Sequence, residues 1–190
     1  PAGRCLTNNH IDWRCFQPIT TANIDTGGTY SYAPAPDAIP DVAQGPEIPF
    51  SQGKLTNRRQ APTAGNVECN KSRLDQWVVR YDKPDPFSIR FDLKKAYPIG
   101  KVSVVYSGRL PRITLEASSD GGNWVALAET AGHDSATPDV RVKELTAGRP
   151  EGEANFRYAR LNFGSRPGTK EHSQITLSEV ELWTKQPPNS

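Results

Sequence analysis

Phe87, Ile89, Phe91 and Leu93 are separated by Ser88, Arg90 and Asp92, an apolar–polar alternation of period two. Only an extended strand puts such residues on one side, because its successive side chains point to opposite faces. The pattern recurs. Val102, Val104 and Tyr106 alternate with Ser103, Val105 and Ser107, and Ile113, Leu115 and Ala117 alternate with Thr114 and Glu116. Val140 and Val142 stand between charged neighbours, and Ala159, Leu161 and Phe163 form a further set. The turn formers Ser119-Asp120-Gly121-Gly122-Asn123 lead into Trp124-Val125-Ala126-Leu127, which predicts a hairpin.

One slip breaks the alternation. Ile175 and Leu177 share a phase, but Val180 and Leu182 are out of step by one residue. A β-bulge at Ser178-Glu179 restores the phase, because one extra residue flips every side chain that follows. After residue 86 no stretch sustains a 3.6-residue apolar repeat, and only Arg73 to Val79 suggests a short helical turn. Regular strands with turn signals between them predict an all-β sandwich. Composition agrees: hydrophobic residues are 35% of the 190, beside 15 glycines and 17 prolines, which suits short strands and long loops.

Residues 1–50 read differently. Turn formers at Asp25-Thr26-Gly27-Gly28 and the proline-rich stretch from Pro34 to Pro49 predict a loop-rich N-terminal extension lying across the core domain of residues 51–190. Its aromatics Trp13, Phe16, Tyr30, Tyr32 and Phe50 need burial against that domain. Cys5, Cys15 and Cys69 leave the pairing open. Cys5–Cys15 would close a short loop in an oxidising compartment; either could instead pair with Cys69, or all three could be reduced.

Charge excludes one class of partner. The 23 Lys and Arg are interspersed with 21 Asp and Glu, so no nucleic-acid surface is expected. No apolar run approaches the ~18 residues of a membrane span. The opening Pro1-Ala2-Gly3 is expected to be that of a processed chain, and the whole to be secreted, extracellular or periplasmic.

The residues also carry a family resemblance. Phe87-Ser-Ile-Arg-Phe-Asp-Leu-Lys-Lys-Ala-Tyr-Pro-Ile-Gly-Lys-Val102 resembles the first core strand signature of discoidin-like domains, also called coagulation-factor type C domains. Ser118-Ser-Asp-Gly-Gly-Asn-Trp124, Arg157-Tyr-Ala-Arg-Leu161 and Leu177-Ser-Glu-Val-Glu-Leu-Trp183 follow in the family's order. Lys54-Leu-Thr-Asn57 is similar to the preceding Leu-Thr-Asp-Gly element, with Asn57-Arg58 in place of Asp-Gly. The resemblance implies a galactose-binding-like jelly roll. It also implies kinship with family 32 carbohydrate-binding modules and accessory domains of polysaccharide-degrading enzymes, and so a neighbouring domain in a larger protein.

Within that resemblance a structural Ca²⁺ is expected near the chain's first core loop. Glu179 would supply a carboxylate, and Gly53, Thr56 and Asn57 would supply loop oxygens. The alternative is that Glu179 and Glu181 are solvated carboxylates. A glycan is expected on loops at one end of the sandwich. Arg58, Arg73, Trp77, Arg109, Arg112 and His172 are the candidate contacts there, within a cationic set that includes Arg166. Arginine forks grip sugar hydroxyls and acids, and an aromatic ring stacks on the apolar sugar face, so an acidic glycan is the expected class. Asp120-Gly121 is expected to make a turn under Trp124, Arg160 to pair with a carboxylate, and Asp92 to satisfy donors at a strand end.

No catalytic machinery is expected. His10, His133 and His172 are not spaced as metal ligands, and no nucleophile elbow, P-loop or dinucleotide fingerprint occurs. The expected function is a non-catalytic carbohydrate-binding or accessory module. The alternative is a structural or protein-interaction domain without glycan affinity.

Overall fold

The computed structural model describes residues 6–7, 10–11, 16–20, 27–41, 45–56, 78–148, 154–166 and 173–185. Among these every regular element is a strand. A two-stranded ribbon joins β1 (Leu6–Thr7) to β2 (His10–Ile11). A six-stranded antiparallel sheet has the order β10 (Val125–Thr130), β9 (Ile113–Ser118), β12 (Phe156–Phe163), β7 (Phe87–Tyr97), β4 (Thr29–Ala33) and β5 (Ile48–Pro49). A five-stranded sheet runs β11 (His133–Thr146), β8 (Ile99–Leu110), β13 (Ile175–Lys185) and β3 (Phe16–Pro18), with β6 (Val79–Tyr81) also pairing β13. The two sheets form a β-sandwich.

The alternation predicts the inner faces well. Phe87, Ile89, Phe91 and Leu93 are all buried, as are Ile113, Leu115 and Ala117, and Val102, Val104 and Tyr106. They join Ala159, Leu161, Val180 and Leu182 in one hydrophobic cluster shared by both sheets. The bulge lies where the slip placed it: the register of β13 against β8 shifts between Leu177 and Glu179.

One expectation changes. Val142 is 59% exposed, whereas Leu145 in the same strand is buried. Two register shifts, between His133 and Thr137 and between Thr137 and Arg141, reset the phase of this strand, so alternation alone does not tell which side is inner. The N-terminal segment contributes strands. β4 pairs with β7 through Tyr30↔Phe91 and Tyr32↔Ile89, and Ile19, Tyr30, Ile48 and Phe50 enter the common core. The five residues of β4 fit between the turn at Gly27 and Pro34, so the prolines bound the strand without interrupting it.

Candidate functional site

Loops from both sheets meet at one end of the sandwich, where β6, β8 and β12 finish and β7, β9 and β13 begin. Phe87 stacks between Tyr81 (3.7 Å between centroids) and Phe163 (4.4 Å), giving that end an aromatic floor. Arg166 lies over it, 5.4 Å from the centroid of Phe87 and only 2% exposed. Its backbone N–H donates to Pro84 O (2.9 Å), Nε donates to Ser173 O and Nη2 to Lys83 O. Nη1 is buried without a hydrogen-bond partner among the described residues. Burial pushes this guanidinium's pKa down, and the acids Asp37, Asp85 and Asp82 only partly offset it.

The same contacts lock the loops together. Ser173 Oγ donates to Asp82 O (2.7 Å), and Asp37 accepts from the N–H groups of Asp82 and Lys83. Arg109 N donates to Gln174 O, and Gly164 N donates to Arg112 O, both at 2.9 Å. A loop end cross-tied in this way is preorganised, which reduces the ordering cost of binding.

The structure therefore brings Arg109 and Arg112 to one end, together with Arg166. Arg109 is half-buried. Arg112 is exposed and held by Glu129, itself exposed, a pair whose charges are partly neutralised before any ligand arrives. Arg58, Arg73, Trp77 and His172 lie outside the described residues, as do Asn57 and the three cysteines. Sequence reading underrated Arg166, because a loop arginine gives no local sign of its burial.

A second group of expected residues surrounds the bulge. Val180 N donates to Leu55 O (2.7 Å), which sets the 53–56 loop against Glu179, 7% exposed. Thr56 is fully buried and its hydroxyl donates to Phe50 O (2.7 Å). Gly53 is needed for packing: a side chain there would collide with the Tyr30 hydroxyl. Glu181 is not solvated either, being 6% exposed and accepting from Thr20 Oγ1 (2.7 Å). Beside them Lys54 is 4% exposed, with Nζ donating to Pro40 O (2.6 Å) and Val78 O (3.0 Å). Asp41 accepts from the hydroxyls of Tyr30 and Tyr32, each at 2.6 Å, and from Lys54 N. Burial, then the Asp41 charge, raises the Tyr30 pKa far above the usual phenol range.

On the outer face of the six-stranded sheet the remaining motif residues behave as expected. Asp120 Oδ1 accepts from Gly122 N and Asn123 N (2.8 Å each), closing the turn before Trp124. Arg160 pairs with Glu116, and Asp92 accepts from Lys94 N.

No family model matches the chain, and no curated protein sequence matches it. Among solved structures, CpGH89CBM32-5 from Clostridium perfringens, in complex with GalNAc-β-1,3-galactose, superposes with a TM-score of 0.54 at 16% identity. The match covers 87% of this chain and 99% of that one. The fold is discoidin-like. A fucolectin from the serum of striped bass, Morone saxatilis, shares this galactose-binding-like architecture with a TM-score of 0.51 at 13% identity, over 85% of this chain and 47% of its own. At such identities the likeness concerns the sandwich, and the ligand must be argued from this chain's own residues.

Proposed function

We propose that this chain is a non-catalytic carbohydrate-binding module of a secreted, polysaccharide-active protein, with its ligand held by the loop end that carries Arg109. The observation behind this reading is the cross-tied end itself: three loops fixed by main-chain hydrogen bonds over an aromatic floor. Arg166 is the strut of that end and Arg109 its sugar donor, with Arg112 at the rim. The fold shared with a galactose-containing complex supports the choice of a glycan. Glycan-array binding tests it. Arg109→Ala should weaken retained glycans roughly tenfold, the loss of about one charged hydrogen bond. Absence of binding to every glycan would overturn the proposal.

A structural Ca²⁺ belongs to the same proposal, held by Glu179 with oxygens from Gly53, Thr56 and Asn57. Its contribution would be to tie the 53–57 loop to the bulge, and no binding step depends on it. Thermal unfolding in Ca²⁺ against chelator should differ by several degrees in the parent chain and not in Glu179→Ala. Equal melting of the parent chain in both conditions removes the ion from the proposal.

A further inference from the structure

The outer face of the six-stranded sheet holds a feature unrelated to the loop end. Ser31, Arg90, Arg160 and Glu116 are register partners across β4, β7, β12 and β9, so they form one row on that face. Around the row, guanidinium groups and rings alternate. Arg157 lies 5.0 Å from the Tyr158 centroid, and Arg90 lies 4.9 Å from Tyr158 and 5.5 Å from Trp124. Arg160 lies 4.2 Å from Trp124.

The outer two cations of this ladder have their carboxylates. Arg157 Nε and Nη2 donate to the two oxygens of Asp92, both at 2.9 Å. Arg160 Nε and Nη2 donate to Glu116 Oε2 at 2.9 and 2.6 Å. The central one does not. Arg90 is exposed and forms no ion pair with any carboxylate among the described residues. The neighbouring acid, Asp120, is already filled by donors from Ser118, Gly122 and Asn123.

Arg90 is also held in place. Two rings lie near it, and Gly121 packs against it: a Cβ there would lie 2.6 Å from Arg90 Nη2 and 3.3 Å from Tyr158. Gly121 has φ +78°, a conformation that side-chain-bearing residues rarely adopt. A fixed, uncompensated guanidinium presents a planar fork that fits a carboxylate with two parallel hydrogen bonds.

We propose that this face is a second ligand surface, taking a carboxylate-bearing sugar unit of an acidic polysaccharide on Arg90. The proposal shares with the preceding section the premise that the chain binds carbohydrate, but uses a different surface. The flanking side chains Ser31, Ser88 and Asn162 are polar and half-buried, and Asn162 Nδ2 donates to Glu116 Oε2 (2.8 Å), leaving its amide oxygen to accept from a sugar hydroxyl. An acidic peptide is the weaker fit. Arg90 stands on β7, between β12 and β4, so no free strand edge adjoins it for a peptide backbone to extend.

Affinity electrophoresis and calorimetry with polygalacturonate, its methyl ester and poly-glutamate test the proposal on the whole chain. Polygalacturonate should bind, the methyl ester should bind much more weakly, and Arg90→Gln and Arg90→Lys should each lose roughly tenfold for the polyacid. Arg109→Ala should leave that binding intact. Equal polygalacturonate affinity in Arg90→Gln and the parent, no polygalacturonate binding at all, or poly-glutamate binding as tightly would overturn the assignment. A neutral glycan lost in Arg109→Ala alone would leave the loop-end reading standing while this one fell, so the two failures are separable. Unchanged thermal unfolding of Arg90→Gln excludes a folding defect.

Discussion

Arg166 at the loop end and Arg90 on the sheet face are the same side chain used in opposite ways. Arg166 is sunk beneath the loops and donates to the carbonyls of Lys83 and Ser173, so its charge holds backbone in place. Arg90 is exposed on the sheet face, near the rings of Trp124 and Tyr158. The first organises a surface, whereas the second is available to one. Counting arginines in loops therefore overstates the ligand set at one end of the molecule and overlooks a candidate in the middle of a sheet.

Phe87→Ala, which removes the centre of the three-ring stack under Arg166, should cost about 3–5 kcal/mol in urea unfolding. A loss below about 1 kcal/mol would mean the floor does not support the loop end. Arg166→Ala should cost about 2–4 kcal/mol by the same measurement, since two carbonyls lose charged donors within a buried site. Arg90→Ala is the counterpart, expected within about 0.5 kcal/mol of the parent because the side chain is exposed. Similar losses for both arginines would erase the distinction drawn here.

Acid sharpens the sheet-face half. Hydrogen bonds from Arg157, then from Lys94, hold the Asp92 carboxyl well below the usual carboxylate range, against the opposing effect of burial. A depressed folded pKa stabilises fully above the unfolded value near ~4 and is lost as pH falls below it. Melting temperatures at pH 5 and pH 3 should therefore converge in Asp92→Asn relative to the parent, a difference worth about 1 kcal/mol. An identical acid drop in both proteins would detach Asp92 from the ladder's stability.

Much of the architecture was legible from local pattern. Alternation in Phe87–Leu93 marked an inner face, and the Leu177 to Val180 slip marked a bulge, because side-chain phase is a property of consecutive residues. The same reasoning failed at Val142, where register shifts intervene. Among the expected ligand contacts, Arg109 and Arg112 do reach a common end, since strand order carries them there. That Arg112 is already paired with Glu129 had no local sign.

The sequence by itself determined the two-layered core, the turn at Asp120-Gly121 and the displaced phase of the last strand, since each depends on neighbours a few positions apart. Only the tertiary structure decided which charges are buried and which are offered. Thr20 meets Glu181 across 161 residues and Arg157 meets Asp92 across 65, so those environments exist only once the sheets have set their register. The physical reason is that periodicity is encoded along the chain, whereas desolvation and charge compensation are properties of the folded neighbourhood.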